Sequence, residues 1–195
     1  MNRIAIFASG SGTNAENIIN YFNHGEIARV VLILSDSKDA YVLERARKLD
    51  VPAQHFLFDD LKNGKVLDVL QKHQINFIVL AGFLKLFPQS IIEEFPHRIV
   101  NIHPALLPKF GGKGMFGDRV HQAVIESGES ESGITIHFVN KNYDDGGIVF
   151  QAKCPVLADD NPETLARRIH QLEYEFFPKV IENLLKESKN EKLPH

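Results

Sequence analysis

The chain has no tryptophan and a single cysteine, Cys154, and nowhere does it stay apolar for the length of a membrane span. One cysteine forbids an intrachain disulfide, which suits a reducing compartment, and a cytoplasmic protein is expected. Within QAKCPV that cysteine reads as a small apolar residue of a strand, with no neighbouring base or cation to make it a nucleophile. The apolar runs stop well short of the roughly 20 residues a spanning helix needs. The first of them, Ile4 to Ala8, ends in a loop rather than a cleavage site, so no signal peptide is expected. Charge of one sign is also missing: 22 Lys and Arg against 25 Asp and Glu leave a net charge of -3. That excludes a general nucleic-acid binder, which needs a basic excess to neutralise phosphates. An anionic ligand must be met by a local group instead. Histidine is plentiful at nine, yet the nine are scattered and no pair has the i, i+4 helix spacing of a metalloprotease motif, so no metal is expected.

What is present is a soluble-type composition, 44% hydrophobic over 195 residues, enough for one domain covering 1–195. Short apolar runs alternate with helical patterns over about the first 100 residues. Strands are expected at 4–8, 30–34, 53–57, 77–80 and 99–102, with helices at 14–22, 41–49, 61–73 and 88–95. This alternation predicts βαβ units and an α/β fold: a Rossmann-like, mostly parallel sheet with helices on both faces. The style changes after residue 103. A proline- and glycine-rich stretch, 104–117, leads to a helix near 118–126. Two strand-like runs, 133–139 and 148–156, flank NKNYDDGG and suggest a C-terminal antiparallel addition. A long helix over 162–186 closes the second half, about 101–186, and the polar residues 187–195 are expected to fray.

The first strand runs into Ser9-Gly10-Ser11-Gly12-Thr13-Asn14 and then a helix, the outline of a phosphate cradle. Gly10-x-Gly12-x-x-Ala15 matches a dinucleotide fingerprint, and Asp36 stands at the end of strand two where a ribose-binding acid belongs. A sugar-phosphate site uses the same physics, free N–H groups at a helix start with Thr13 and Asn14 as added side-chain donors. A tight turn that binds nothing has the same sequence. The loop alone leaves all three open.

Residues 101–108 read NIHPALLP. Asn101 and His103, two apart at a strand end, leave the same face of the sheet at the carboxyl edge, where open α/β sheets bind ligands. An amide donor beside an imidazole suits a developing oxyanion. A capping asparagine and a hydrogen-bonded structural histidine would share that spacing.

NIHPALLPKF resembles the signature of the folate-dependent formyltransferases and their hydrolase relatives. VLAGFLKLF (79–87), GITIHFVN (133–140) and YDDGGIVFQ (143–151) are similar to further stretches of that family, and the likeness runs from residue 3 to about 185. The resemblance implies transfer of a formyl group from 10-formyltetrahydrofolate, as co-substrate, to the amine of glycinamide ribonucleotide in purine biosynthesis, by a monomer or homodimer that needs no metal, nucleic acid or membrane. It implies a phosphate on Gly12, Thr13 and Asn14, which makes the dinucleotide match a false positive. It implies oxyanion donors in Asn101 and a protonated His103. Proton handling falls to the Asp directly before the glycine pair, Asp145, with Asp144 as competitor. Folate is implied to lie against Leu84, Lys85, Leu86, Phe87 and Asn101, with backbone groups near 140–145 reading its edge. His137 is expected to face outward or toward the site edge, as support. A basic residue often meets the folate tail in the family; Lys62 and Lys65 are the candidates in a segment that looks shortened. The stretch 109–121 is longer and richer in glycine than in many members, and its Lys109 and Lys113 are candidate anion contacts.

Overall fold

The computed structural model describes residues 1–190. Seven strands form one sheet: β1 (Asn2–Phe7), β2 (Ala28–Ser35), β3 (Ala53–His55), β4 (Phe77–Leu80), β5 (Ile99–His103), β6 (Glu131–Phe138) and β7 (Ile148–Pro155). Their order is β3-β2-β1-β4-β5-β6-β7. The first five are parallel; β6 and β7 add on antiparallel. The expected α/β class, with its C-terminal antiparallel addition, is the architecture observed.

The helices are α1 (Thr13–Phe22), α2 (Tyr41–Lys48), α3 (Phe58–Lys62), α4 (Lys65–Lys72), α5 (Gln89–Glu94), α6 (Asp118–Glu126) and α7 (Pro162–Asn190). Alternation along β1 feeds both layers. Ile4 and Ile6 pack with α1, α2 and α7, while Ala5 and Phe7 pack with α3, α4 and α5. Both faces of the central strands are therefore covered, as a parallel sheet requires. Three details differ from expectation. The single helix over 61–73 is two helices, because Gly64 at φ 92 starts a new one. Strand β3 is only three residues long, an edge piece with little apolar content. The last helix runs to Asn190, past its expected end at 186; the rest of the expected tail, 191–195, lies outside the described residues.

The carboxyl ends of β1, β4 and β5 point the same way, and the chain reverses strand order between β1 and β4. That crevice is the natural ligand position of such a sheet. Loops close over it through Ser9, whose N–H donates to the Gly82 carbonyl (3.0 Å) and whose Oγ accepts from the Leu84 N–H (3.2 Å). No helix among the described residues is long and apolar enough to cross a membrane.

Candidate active site

Asn101 and His103 leave one face of β5, and the antiparallel register sets His137 opposite Asn101 and Thr135 opposite His103. The residues between them, Val100, Ile102, Ile134 and Ile136, face the α1/α7 core. The hydrophobic alternation thus forces the four polar side chains together on the other face. Thr135 is structural: its hydroxyl donates to the Ala105 carbonyl (2.7 Å) and accepts from the Leu107 N–H and Gln151 Nε2.

Asp144 completes the group. Its Oδ2 lies 3.5 Å from His103 Nδ1 and accepts the Gly112 N–H at 3.0 Å; its Oδ1 lies 3.6 Å from His137 Nε2 and 3.4 Å from Asn101 Nδ2. Asp145 is placed elsewhere. Its carboxylate is turned to solvent and accepts from Asn142 Nδ2 (2.8 Å) and Asn140 Nδ2 (3.3 Å) within its own loop. The expectation for Asp145 is corrected to Asp144, and the cause is backbone geometry. Asp144 adopts φ 51, in the left-handed region, and Gly146 passes so close to β6 that a Cβ there would lie 1.7 Å from the Phe138 carbonyl oxygen. That crossing turns residue 144 inward and residue 145 out.

The histidines are ordered by their partners. His137 Nδ1–H donates to the Phe138 carbonyl (2.8 Å), which leaves Nε2 to accept from Asn101 Nδ2 at 3.1 Å. His137 is 3% exposed and stands at the centre of the group rather than facing outward, because the loops 104–117 and 140–147 roof that face of the sheet. His103 Nε2–H donates to the Phe110 carbonyl (2.7 Å). Burial pushes the His103 pKa down; Asp144 and the Phe110 carbonyl pull it up but do not prevail. That direction favours the neutral ring in the free protein, with its hydrogen on Nε2 toward the Phe110 carbonyl. For Asp144, burial acts to raise the pKa. The contacts with the two histidines and the Gly112 N–H outweigh it and hold the carboxyl below its usual range.

Beside these groups opens a cleft lined by Phe83, Lys85, Leu86, Phe87, Asn101 and Asp144, with Asn140, Asn142 and Tyr143 on its far wall. Phe83 and Phe87 are buried in an edge-to-face cluster with Phe7, which makes this wall rigid. Of the five expected folate contacts, Lys85, Leu86, Phe87 and Asn101 line the cleft; Leu84 is 42% exposed and lies outside the lining. Lys85 and Lys62 both sit over the Phe58 ring, 5.9 and 4.6 Å from its centre. Lys65 is paired with Asp60 at 2.9 Å, and Lys109 with Glu129 at 2.8 Å; Lys113 is exposed.

At the end of β1, Gly12 caps α1 at φ 74, where a Cβ would lie 2.3 Å from Val42 Cγ2. Only glycine lets the loop lie this close to α2. Arg45 braces it from behind, paired with Glu16 and donating to the Ser11 carbonyl (2.8 Å). The first N–H groups of α1 are free to meet an anion. The Asn14 side chain is not: its Nδ2 donates to Glu173 Oε2 at 2.8 Å. This leaves Asn14 its backbone N–H for a phosphate, and the expected side-chain donor is corrected accordingly. Glu173, 4% exposed, also accepts from His170 Nδ1 at 2.8 Å. The sequence reading does not single it out; the signal it offers is an acid inside an apolar stripe, between Ile169 and Phe177 at four-residue spacing, both fully buried.

The formyl transferase family model matches residues 2–181. The chain is 43% identical over 186 residues to the chloroplastic phosphoribosylglycinamide formyltransferase of Arabidopsis thaliana, covering 92% of this chain and 64% of that protein. It is 38% identical over 187 residues to the phosphoribosylglycinamide formyltransferase of Haemophilus influenzae, covering 93% of this chain and 86% of that one. The crystal structure of glycinamide ribonucleotide transformylase 1 from Symbiobacterium toebii superposes with a TM-score of 0.88 at 36% identity, over 95% of this chain and 88% of that chain.

Proposed function

The chain belongs to the formyl transferase family, and from that premise we propose that it transfers the formyl group of 10-formyltetrahydrofolate to the amine of glycinamide ribonucleotide. The observation that carries the reading is the Asp144 carboxylate set among His103, His137 and Asn101 beside an apolar cleft, with an anion-binding helix start two strands away.

The pterin enters the cleft against Leu86 and Phe87, with Lys85 and Lys62 on the path of its acidic tail. The acceptor's phosphate takes the free N–H groups around Gly12, Thr13 and Asn14, which directs its amine toward Asp144. The amine nitrogen attacks the formyl carbon, and the carbonyl electron pair moves onto oxygen. One Asn101 N–H is spent on His137 and fixes the amide; the other, now in a long 3.4 Å contact with Asp144, donates to the oxyanion. His103 Nε2–H exchanges the Phe110 carbonyl for the oxyanion. The proton lost by the amine passes through water to the Asp144–His103 pair, where the carboxylate favours an imidazolium once charge has developed. Collapse then breaks the bond between the formyl carbon and the folate nitrogen, which takes up the proton. The products are the formamide and tetrahydrofolate. No covalent link to the protein forms in this scheme.

A hydrolase acting on the same folate would use the same groups with water as acceptor. Folate release measured with and without glycinamide ribonucleotide separates the two. Release that requires the ribonucleotide supports the transferase; release indifferent to it refutes the proposal.

A further inference from the structure

The loop that precedes α1 takes its shape from α2. Val42 and Arg45 stand three apart on that helix and share a face, and both hold carbonyls of the loop. The Val42 N–H is one of the donors that a helix start leaves unmet, and it donates to the Gly10 carbonyl at 3.1 Å. One turn on, Arg45 Nε–H donates to the Ser11 carbonyl at 2.8 Å. Arg45 is itself fixed on two further sides. Its Nη1 pairs with Glu16 of α1, and its guanidinium lies over the Tyr41 ring, 5.0 Å from the centre.

These contacts decide where the loop's N–H groups point. The cis peptide among the described residues is Leu107–Pro108, so the Gly10–Ser11 and Ser11–Gly12 units are trans. In a trans unit the C=O and N–H bonds point in opposite directions across a rigid plane. With the Gly10 carbonyl turned onto Val42, the Ser11 N–H is aimed away from α2. With the Ser11 carbonyl turned onto Arg45, so is the Gly12 N–H. Neither N–H donates to a backbone carbonyl among the described residues. Gly12 is left-handed at φ 74 and Thr13 opens the helix, and successive N–H groups in such an order of conformations form a concavity for an anion. From Thr13 onward the helix orients its own N–H groups. That of Gly12 is oriented through the Ser11 carbonyl, and so by Arg45. A flat guanidinium presents Nε and Nη1 to two acceptors at once; a lysine ammonium keeps the charge but not that geometry.

We propose that Arg45 is a positioning residue for the acceptor's phosphate: it does not touch the anion but aims the Gly12 N–H at it. This rests on the reading of the acceptor as a sugar phosphate. It makes α2, which contacts neither substrate in the proposed reaction, part of acceptor recognition.

The test follows backbone amides by NMR as ribose 5-phosphate is added to the full chain, native and with Arg45→Lys or Arg45→Met. In the native protein the Gly12, Thr13 and Asn14 amide signals should shift. In both variants the Gly12 response should be largely lost, while those of Thr13 and Asn14, set by α1, persist. Both variants should raise the KM for glycinamide ribonucleotide about tenfold, the contribution of one hydrogen bond to an anion, and leave kcat and the KM for formyl-folate unchanged. The melting temperature of either free variant should stay within about 4 °C of native, since the Arg45–Glu16 pair is partly exposed.

Native behaviour in Arg45→Lys with a loss in Arg45→Met makes charge the operative feature and overturns the proposal. An unchanged Gly12 response in both variants overturns it as well, and so does loss of all three responses together, which marks a loop that has come apart. If the native amides do not respond to ribose 5-phosphate at all, the sugar-phosphate reading fails and the proposal with it. That result is distinct from a native response that the variants keep, which sinks the role of Arg45 alone.

Discussion

Replacing Asp144 by asparagine changes one charge and almost no volume, so it isolates the electrostatic part of the site. The carboxylate lies 3.5 Å from His103 Nδ1. At the effective dielectric of about 20 that suits protein sites, a unit charge at that distance favours an imidazolium by at most about 5 kcal/mol, or between three and four powers of ten. Part of that benefit survives through water and through the His137 side, so a loss of about 10³ in kcat is expected, within the usual range for a positioned acid–base group. The KM for glycinamide ribonucleotide should change little, since Asp144 lies at the end of the sheet away from the proposed phosphate loop. Because Asp144 is among the groups that raise the His103 pKa, the variant's histidine should titrate lower still, which NMR of the ring protons reads directly. Asp145→Asn is the control: its carboxylate is held by Asn140 and Asn142 in solvent and should cost less than about twofold. A collapse in Asp145→Asn with near-native turnover in Asp144→Asn would refute both the assignment and the geometry behind it.

Gly12→Ala should lower stability by about 3 kcal/mol, from the left-handed backbone plus the clash with Val42, and so drop the melting temperature by about 6–12 °C and abolish protection by a sugar phosphate. Asp160 accepts two bonds from Arg168, one from the Leu157 N–H and one from Thr164 Oγ1, which hold its carboxyl well below the usual carboxylate range. Asp160→Ala should therefore cost about 2–3 kcal/mol in denaturant melts at pH 7. A depressed carboxyl contributes above its unfolded pKa of about 4 and loses that contribution on acidification, so the deficit should shrink toward pH 3. His170 is raised, chiefly by its hydrogen bond to Glu173; its contribution is complete below about pH 6.5 and fades as pH climbs through the folded value. His170→Asn should accordingly destabilise more at pH 6 than at pH 8.5, by thermal melts at both.

Most of the sheet was legible because each parallel strand is an uninterrupted apolar run and each helix shows one apolar stripe. Strand β4 was read with its observed bounds from FIVL alone. The Asn101–His103 pair was legible for the same reason, since period two is local. His137 was not. Its face follows from Ile134 and Ile136, but alternation alone leaves solvent and the site edge both open there, and only the antiparallel register and the loops over it bring Asn101 and Asp144 to it. The choice between Asp144 and Asp145 turned on one left-handed residue before a glycine pressed against β6, a matter of tertiary contact that no spacing rule contains. Glu173 sits in plain view on its helix, and the apolar stripe around it is the sign that it is buried for a purpose. Leu84 failed for the opposite reason: adjacent residues in a loop share a motif without sharing a direction.

The sheet is also a ruler. In the proposed reaction the anion-binding loop leaves β1 and the reacting groups leave β5, with only β4 between them. Neighbouring strands are spaced by about 4.8 Å, so the two stations stand about 10 Å apart along a direction the backbone ladder cannot stretch. Length, rather than any single contact, then becomes a criterion of selection. A phosphorylated amine too short to bridge that gap leaves its nucleophile stranded over β4, and one much longer overshoots the carboxylate.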